Sequence, residues 1–111
     1  MASIGNIQLF NGVAMATNSI SGTKATELHQ TDYKAMLKLE NTSGATVSGK
    51  IEHSPDGGSW EDLATFTGLS ADGIESVDVT SHVYPIVRAN LTVAGGTADV
   101  SCFLWFDKRG K

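Results

Sequence analysis

The side chains best suited to chemistry are His29, His53, His82 and Cys102, with the loop carboxylates Asp56, Glu61, Asp62 and Asp72. Imidazole and thiolate would hold zinc, but such sites draw on short ligand spacings. Here the histidines are widely separated, and none forms a short-spaced motif with Cys102 or a carboxylate. Calcium would take carboxylate and backbone oxygens. Asp56, Glu61 and Asp62 join Asp72 only if their two loops meet; otherwise they are solvated loop charges. No G-x-S-x-G, Cys–His or paired-carboxylate pattern is present. The expectation is a non-enzymatic protein with no catalytic residue, metal or cofactor. Cys102 sits on the inward side of an alternating strand, where it reads as a small buried hydrophobe rather than a reactive thiol.

The most distinctive local string is Ser54-Pro55-Asp56-Gly57-Gly58-Ser59-Trp60. Pro55 pre-sets a turn, Asp56 can accept from nearby backbone N–H groups, and Gly57-Gly58 permit positive φ. The string resembles the Asp-box of sialidase-type propellers, S-x-D-x-G-x-T-W, but is one residue short and occurs once. A chain of 111 residues cannot supply the blades. It reads as a hairpin turn, with Trp60 returning the chain to the core.

The aromatic residues carry the second signal. In the segment from Ala98 to Phe106, Ala98, Val100, Cys102, Leu104 and Phe106 share one face. The other face has Asp99 and Ser101, then Phe103 and Trp105. A strand covered on one side should be polar on the other, so Phe103 and Trp105 mark a contact surface. Ile7, Leu9 and Phe10, in the N-terminal segment, are the companion candidates for a partner or oligomer contact. An alternative set, Trp60, Tyr84 and Trp105, would stack on sugar rings.

The elements positioning these residues are strands. Turn signals recur at Asn11-Gly12, Ser21-Gly22, Ser43-Gly44, Asp56-Gly57-Gly58, Asp72-Gly73 and Gly95-Gly96. Between them lie alternating runs at Tyr33–Glu40, Val47–His53, Trp60–Thr67, Glu75–Thr80, Val87–Val93 and Ala98–Phe106. Tyr33, Ala35, Leu37 and Leu39 face inward; Lys34, Lys38 and Glu40 face solvent, with Met36 an apolar exception. The Lys and Glu residues of the first two runs are expected to pair across a hairpin. Recurrent short strands without helical periodicity predict an all-β fold, a single jelly-roll-like β-sandwich in meander or Greek-key order. Residues 1–32 are looser. Ile7–Phe10 and Gly12–Ile20 predict either edge strands and a loop, or an arm ordered by a neighbour; residues 33–111 form the sandwich body, one domain overall.

Composition narrows the class. Hydrophobic residues make up 41% and charged residues 18%, the latter below the ~25% usual for soluble proteins. A weakly charged surface suits a protein packed beside neighbours. Net charge is −4, and the basic residues form no run outside Lys108-Arg109-Gly110-Lys111, which argues against nucleic-acid binding. No stretch approaches ~18 apolar residues, and no signal segment is evident. The expectation is a chain made in the cytoplasm and not inserted in a membrane.

The segment from Tyr33 to Phe106 resembles small β-sandwich proteins of tailed-bacteriophage virions, especially head decoration or cement proteins. The resemblance is carried by Leu39-Glu40-Asn41-Thr42-Ser43, by Ile51-Glu52-His53-Ser54-Pro55-Asp56-Gly57 with Trp60, and by Val87-Arg88-Ala89-Asn90-Leu91-Thr92-Val93 before Gly95-Gly96. It implies a protein of the capsid exterior that binds the major capsid protein lattice and braces it, as a homo-oligomeric dimer or trimer. The alternative is a carbohydrate-binding or adhesion module of a phage tail or fibre.

Overall fold

The computed structural model describes residues 4–26 and 32–107. Among these residues nine strands run in chain order: β1 (Ile4–Met15), β2 (Ser19–Ile20), β3 (Lys24–Ala25), β4 (Tyr33–Ser43), β5 (Thr46–Ser54), β6 (Glu61–Leu69), β7 (Gly73–Val79), β8 (Ile86–Ala94) and β9 (Thr97–Asp107). They form two antiparallel sheets. Sheet A has the order β1-β9-β4-β7; sheet B has β2-β8-β5-β6, with β3 also pairing β8.

β2 and β3 act as one interrupted edge strand. Ser19 and Ile20 lie opposite Leu91 and Asn90, and Lys24 and Ala25 lie opposite Val87 and Ile86. Between them Ser21 stays attached: its N–H donates to the Ala89 carbonyl at 2.9 Å, and its Oγ accepts the Ala89 N–H at 2.8 Å. Counted so, the pairings are nested: β1 with β9, β2/β3 with β8, β4 with β7, β5 with β6. A long hairpin rolled into two four-stranded sheets gives this pattern, which is that of a jelly roll. The expected all-β, jelly-roll-like sandwich is therefore what the chain forms.

Alternation explains the layers. Ala35, Leu37 and Leu39 of β4 meet Val100, Cys102 and Leu104 of β9 on the inner face of sheet A, all at most 1% exposed. Val47, Ile51, Val87, Ala89 and Leu91 supply the facing layer from sheet B. Tyr33 closes one end, its ring edge-on to Phe106 at 5.2 Å. The core is small and close-packed, so truncating Leu37 or Leu91 removes about 2–5 kcal/mol of stability.

Two expectations need correction. The runs Tyr33–Glu40 and Val47–His53 are not hairpin partners: β4 belongs to sheet A and β5 to sheet B. The expected Lys–Glu pairs across them are absent among the described residues. Lys34 pairs with Asp78 on β7, and Lys50 with Asp62 on β6. The Ser43-Gly44-Ala45 link is an arch between sheets, and it packs against the second arch at Gly95-Gly96. A Cβ on Gly96 would collide with the Ser43 carbonyl, so this crossing needs glycine.

Gly12–Ile20 is not a separate strand either. β1 continues to Met15 through two irregularities, one between Gln8 and Phe10 and one between Phe10 and Val13. Bulges keep the strand paired while re-aiming its side chains. The described part of the N-terminal segment thus pairs as edge strands, β1 on sheet A and β2/β3 on sheet B. Residues 1–3, 27–31 (which include His29) and 108–111 lie outside the described residues.

Candidate functional site

The outer face of sheet A forms a regular grid. Register partners in an antiparallel sheet point the same way, so the ladders define its rows. One row runs Asn6, Trp105, Lys34, Asp78 across β1, β9, β4 and β7; the next runs Gln8, Phe103, Met36, Ser76. In the third, Ser101 and Lys38 lead to Ile74. Trp105, Phe103 and Met36 are half-buried by their neighbours, and Ile74 is 59% exposed. Cross-strand Cβ atoms lie ~4.5–5.5 Å apart, so Phe103 and Met36 form one apolar surface, with Trp105 beside it. The Lys34–Asp78 ion pair borders one end, and Lys38 with Glu40, at 3.4 Å, borders the other. An apolar centre with a charged rim can dock a partner.

Of the five predicted contact residues, Phe103 and Trp105 share this face. Leu9 does not: it is turned into the core and 9% exposed. Ile7 and Phe10 pack against the core margin. Sequence reading missed Ile74, although its parity with Ser76 and Asp78, opposite to Val77 and Val79, places it outward. Met36 was legible as an exception but had no stated neighbour.

The sugar-stacking set does not converge. Trp60 is half-buried, not in the core, and takes the Arg88 guanidinium over its ring at 4.0 Å. Arg88 is itself held by Glu52 on sheet B. Tyr84 is packed against His53 at 4.6 Å and His82 at 5.4 Å. Trp105 lies on the outer face of the other sheet, so the three rings make no common platform.

The loop carboxylates are engaged separately. Asp56 Oδ1 accepts the N–H groups of Gly58 and Ser59, each at 2.9 Å, and the Ser54 hydroxyl at 3.1 Å. These bonds hold its carboxyl below the ordinary range, and Gly57 takes φ +82° to close the turn. Asp72 accepts the Thr42 N–H at 2.8 Å at the opposite end of β6. β6 spans roughly 30 Å, so the two loops do not meet. Among the described residues no group of three or more His, Cys, Asp or Glu could hold a metal ion. Cys102 is fully buried, and burial pushes its thiol up to about 12.

No protein-family model and no curated protein matches the sequence.

Proposed function

We propose that the chain is a non-enzymatic virion structural protein of a tailed phage. In this reading it is a decoration or cement protein that sits on the capsid exterior and binds the major capsid protein lattice. The observation that carries it is the outer face of sheet A, where Trp105, Phe103 and Met36 make an apolar surface on the sandwich. Two further features support it. Jelly rolls are recurrent in viral structural proteins, though also in lectins. The sequence is poor in charge, with 18% charged residues, as fits a surface packed among neighbours.

The mechanism is linkage. A protein that binds only the assembled, expanded lattice stabilises that state in proportion to its occupancy. Copies joined as a dimer or trimer would add weak contacts through effective concentration. The competing adhesion-module reading needs a stacking platform, but the Trp60 ring is covered by Arg88, and the Tyr84 ring is packed against His53 and edge-on to His82.

The test is co-sedimentation with expanded capsids of the encoding phage stripped of the protein, with capsid rupture temperature as second readout. The native chain is expected to bind and raise that temperature, and the double variant Phe103→Ser, Trp105→Ser to do neither while remaining folded. Retention on host-surface glycans with no affinity for capsids would overturn the reading.

A further inference from the structure

The end of sheet B holds a buried histidine in an unusual role. His53 of β5 is 7% exposed, and its Nδ1 accepts the backbone N–H of Tyr84 at 3.1 Å. With Nδ1 accepting, the proton of the neutral ring sits on Nε2. The Tyr84 ring lies over the imidazole, 4.6 Å between centroids at 35°.

Tyr84 in turn anchors the sheet edge. Its carbonyl accepts the Thr26 hydroxyl at 3.3 Å, and the Pro85 carbonyl accepts the Thr26 N–H at 2.8 Å. Thr26 directly follows β3, whose two residues are its whole ladder with β8. So short a strand depends on its end contacts. A chain of bonds therefore runs from His53 through Tyr84 and Pro85 to the β3 edge.

We propose that His53 is an acid-sensitive latch: protonating its ring turns Nδ1 from acceptor to donor, expels the Tyr84 N–H, and frees the Thr26 end of β3. Two donors cannot share that 3.1 Å contact, and the buried site has little water to separate them. The charged groups around the ring act in opposite senses. Glu61, the register partner of His53 on β6, favours the protonated form. His82, edge-on to Tyr84 at 5.4 Å, opposes it. The β8 register partner is the apolar Val87. Burial outweighs Glu61 and keeps the His53 pKa below its ordinary 6.5. The latch is therefore closed at neutral pH. Its hold weakens as pH falls below 6.5 towards the folded-state value, because the open form binds the proton more readily.

Amide hydrogen exchange followed by NMR, corrected for intrinsic rates, tests this at about pH 7.5 and about pH 5. In the native chain, protection of the Tyr84 and Thr26 amides is expected to fall as pH drops below 6.5, by at most about tenfold per pH unit for one proton. Leu37 and Val100 in the core should hold theirs. His53→Asn keeps an acceptor at the δ1 position without a titrating ring and should flatten the response; His82→Gln should retain it. Constant protection at Tyr84 and Thr26 in the native chain would overturn the latch. So would an undiminished fall in His53→Asn, or its loss in His82→Gln.

Discussion

The Glu75 carboxylate of β7 crosses to sheet B and accepts the Thr67 N–H and hydroxyl, each at 2.7 Å, and the Gly68 N–H at 2.8 Å. It joins the exposed edges of the two sheets, satisfying edge donors that would otherwise be open to another strand.

Burial pushes the Glu75 carboxyl up, but the Gly68 and Thr67 donors outweigh it and leave the group below its ordinary 4.5. A depressed folded value means that the stabilisation is complete above the unfolded value. It is lost as pH falls through the folded one. Glu75→Gln should cost about 1–2 kcal/mol at neutral pH and flatten the acid limb of the stability curve. Urea unfolding at about pH 7 and about pH 3 measures both; equal losses at the two pH values would refute the carboxylate's role.

Arg88 has two partners: its Nε donates to Glu52 Oε1 at 2.9 Å, and its guanidinium covers Trp60. The Glu52 side chain is only 9% exposed. Arg88→Ala leaves it with Asn90 at 3.5 Å and Lys50 at 3.8 Å, and should cost about 1–3 kcal/mol. Trp60 emission should change in the same variant. Arg88→Lys should recover only part of the loss, since lysine lacks the planar fork. A melting curve unaltered by Arg88→Ala would contradict this.

Cys102 should resist thiol reagents in the native state. A thiol pushed to about 12 and without solvent contact supplies almost no thiolate at neutral pH. Labelling by a chromogenic disulfide should follow the denaturant curve. Rapid labelling without denaturant would mean that β9 opens locally.

The outer face can be probed at the residue that sequence reading passed over. Ile74→Lys places a charge in the patch at a site already 59% exposed. Stability should shift by less than about 0.5 kcal/mol, while the capsid attachment proposed above, if this face carries it, should weaken. Unchanged attachment would confine the contact to Phe103 and Trp105.

Strand identity was legible because alternation is a local property. Tyr33-Ala35-Leu37-Leu39 and Val100-Cys102-Leu104 declare their inner faces within a few residues. Pairing was not legible. The links at Gly44 and Gly95-Gly96 carry turn chemistry, but the same glycines serve a hairpin or an arch between sheets. Which occurs depends on partners tens of residues away. The N-terminal strand was obscured by its own bulges, which break the two-residue period near Phe10. Trp60 was misplaced because its ring is claimed by Arg88, a residue distant in sequence. Phe103 was read outward from parity alone, and parity sufficed; its neighbour Met36 required the β4–β9 register.

The nesting of strand pairs also constrains how the chain reaches its structure. β5 and β6 can meet across the Asp56 turn at little entropic cost, whereas Ile4 must find Asp107 across nearly the whole described chain. Loop closure then favours an order from the innermost hairpin outward, with β1 docking last. Refolding in milliseconds to seconds is expected for such non-local topology. Substitutions in the Asp56 turn should slow folding, and those in β1 should mainly speed unfolding. The edge strand that completes sheet A is thus also the first to give way when the chain opens.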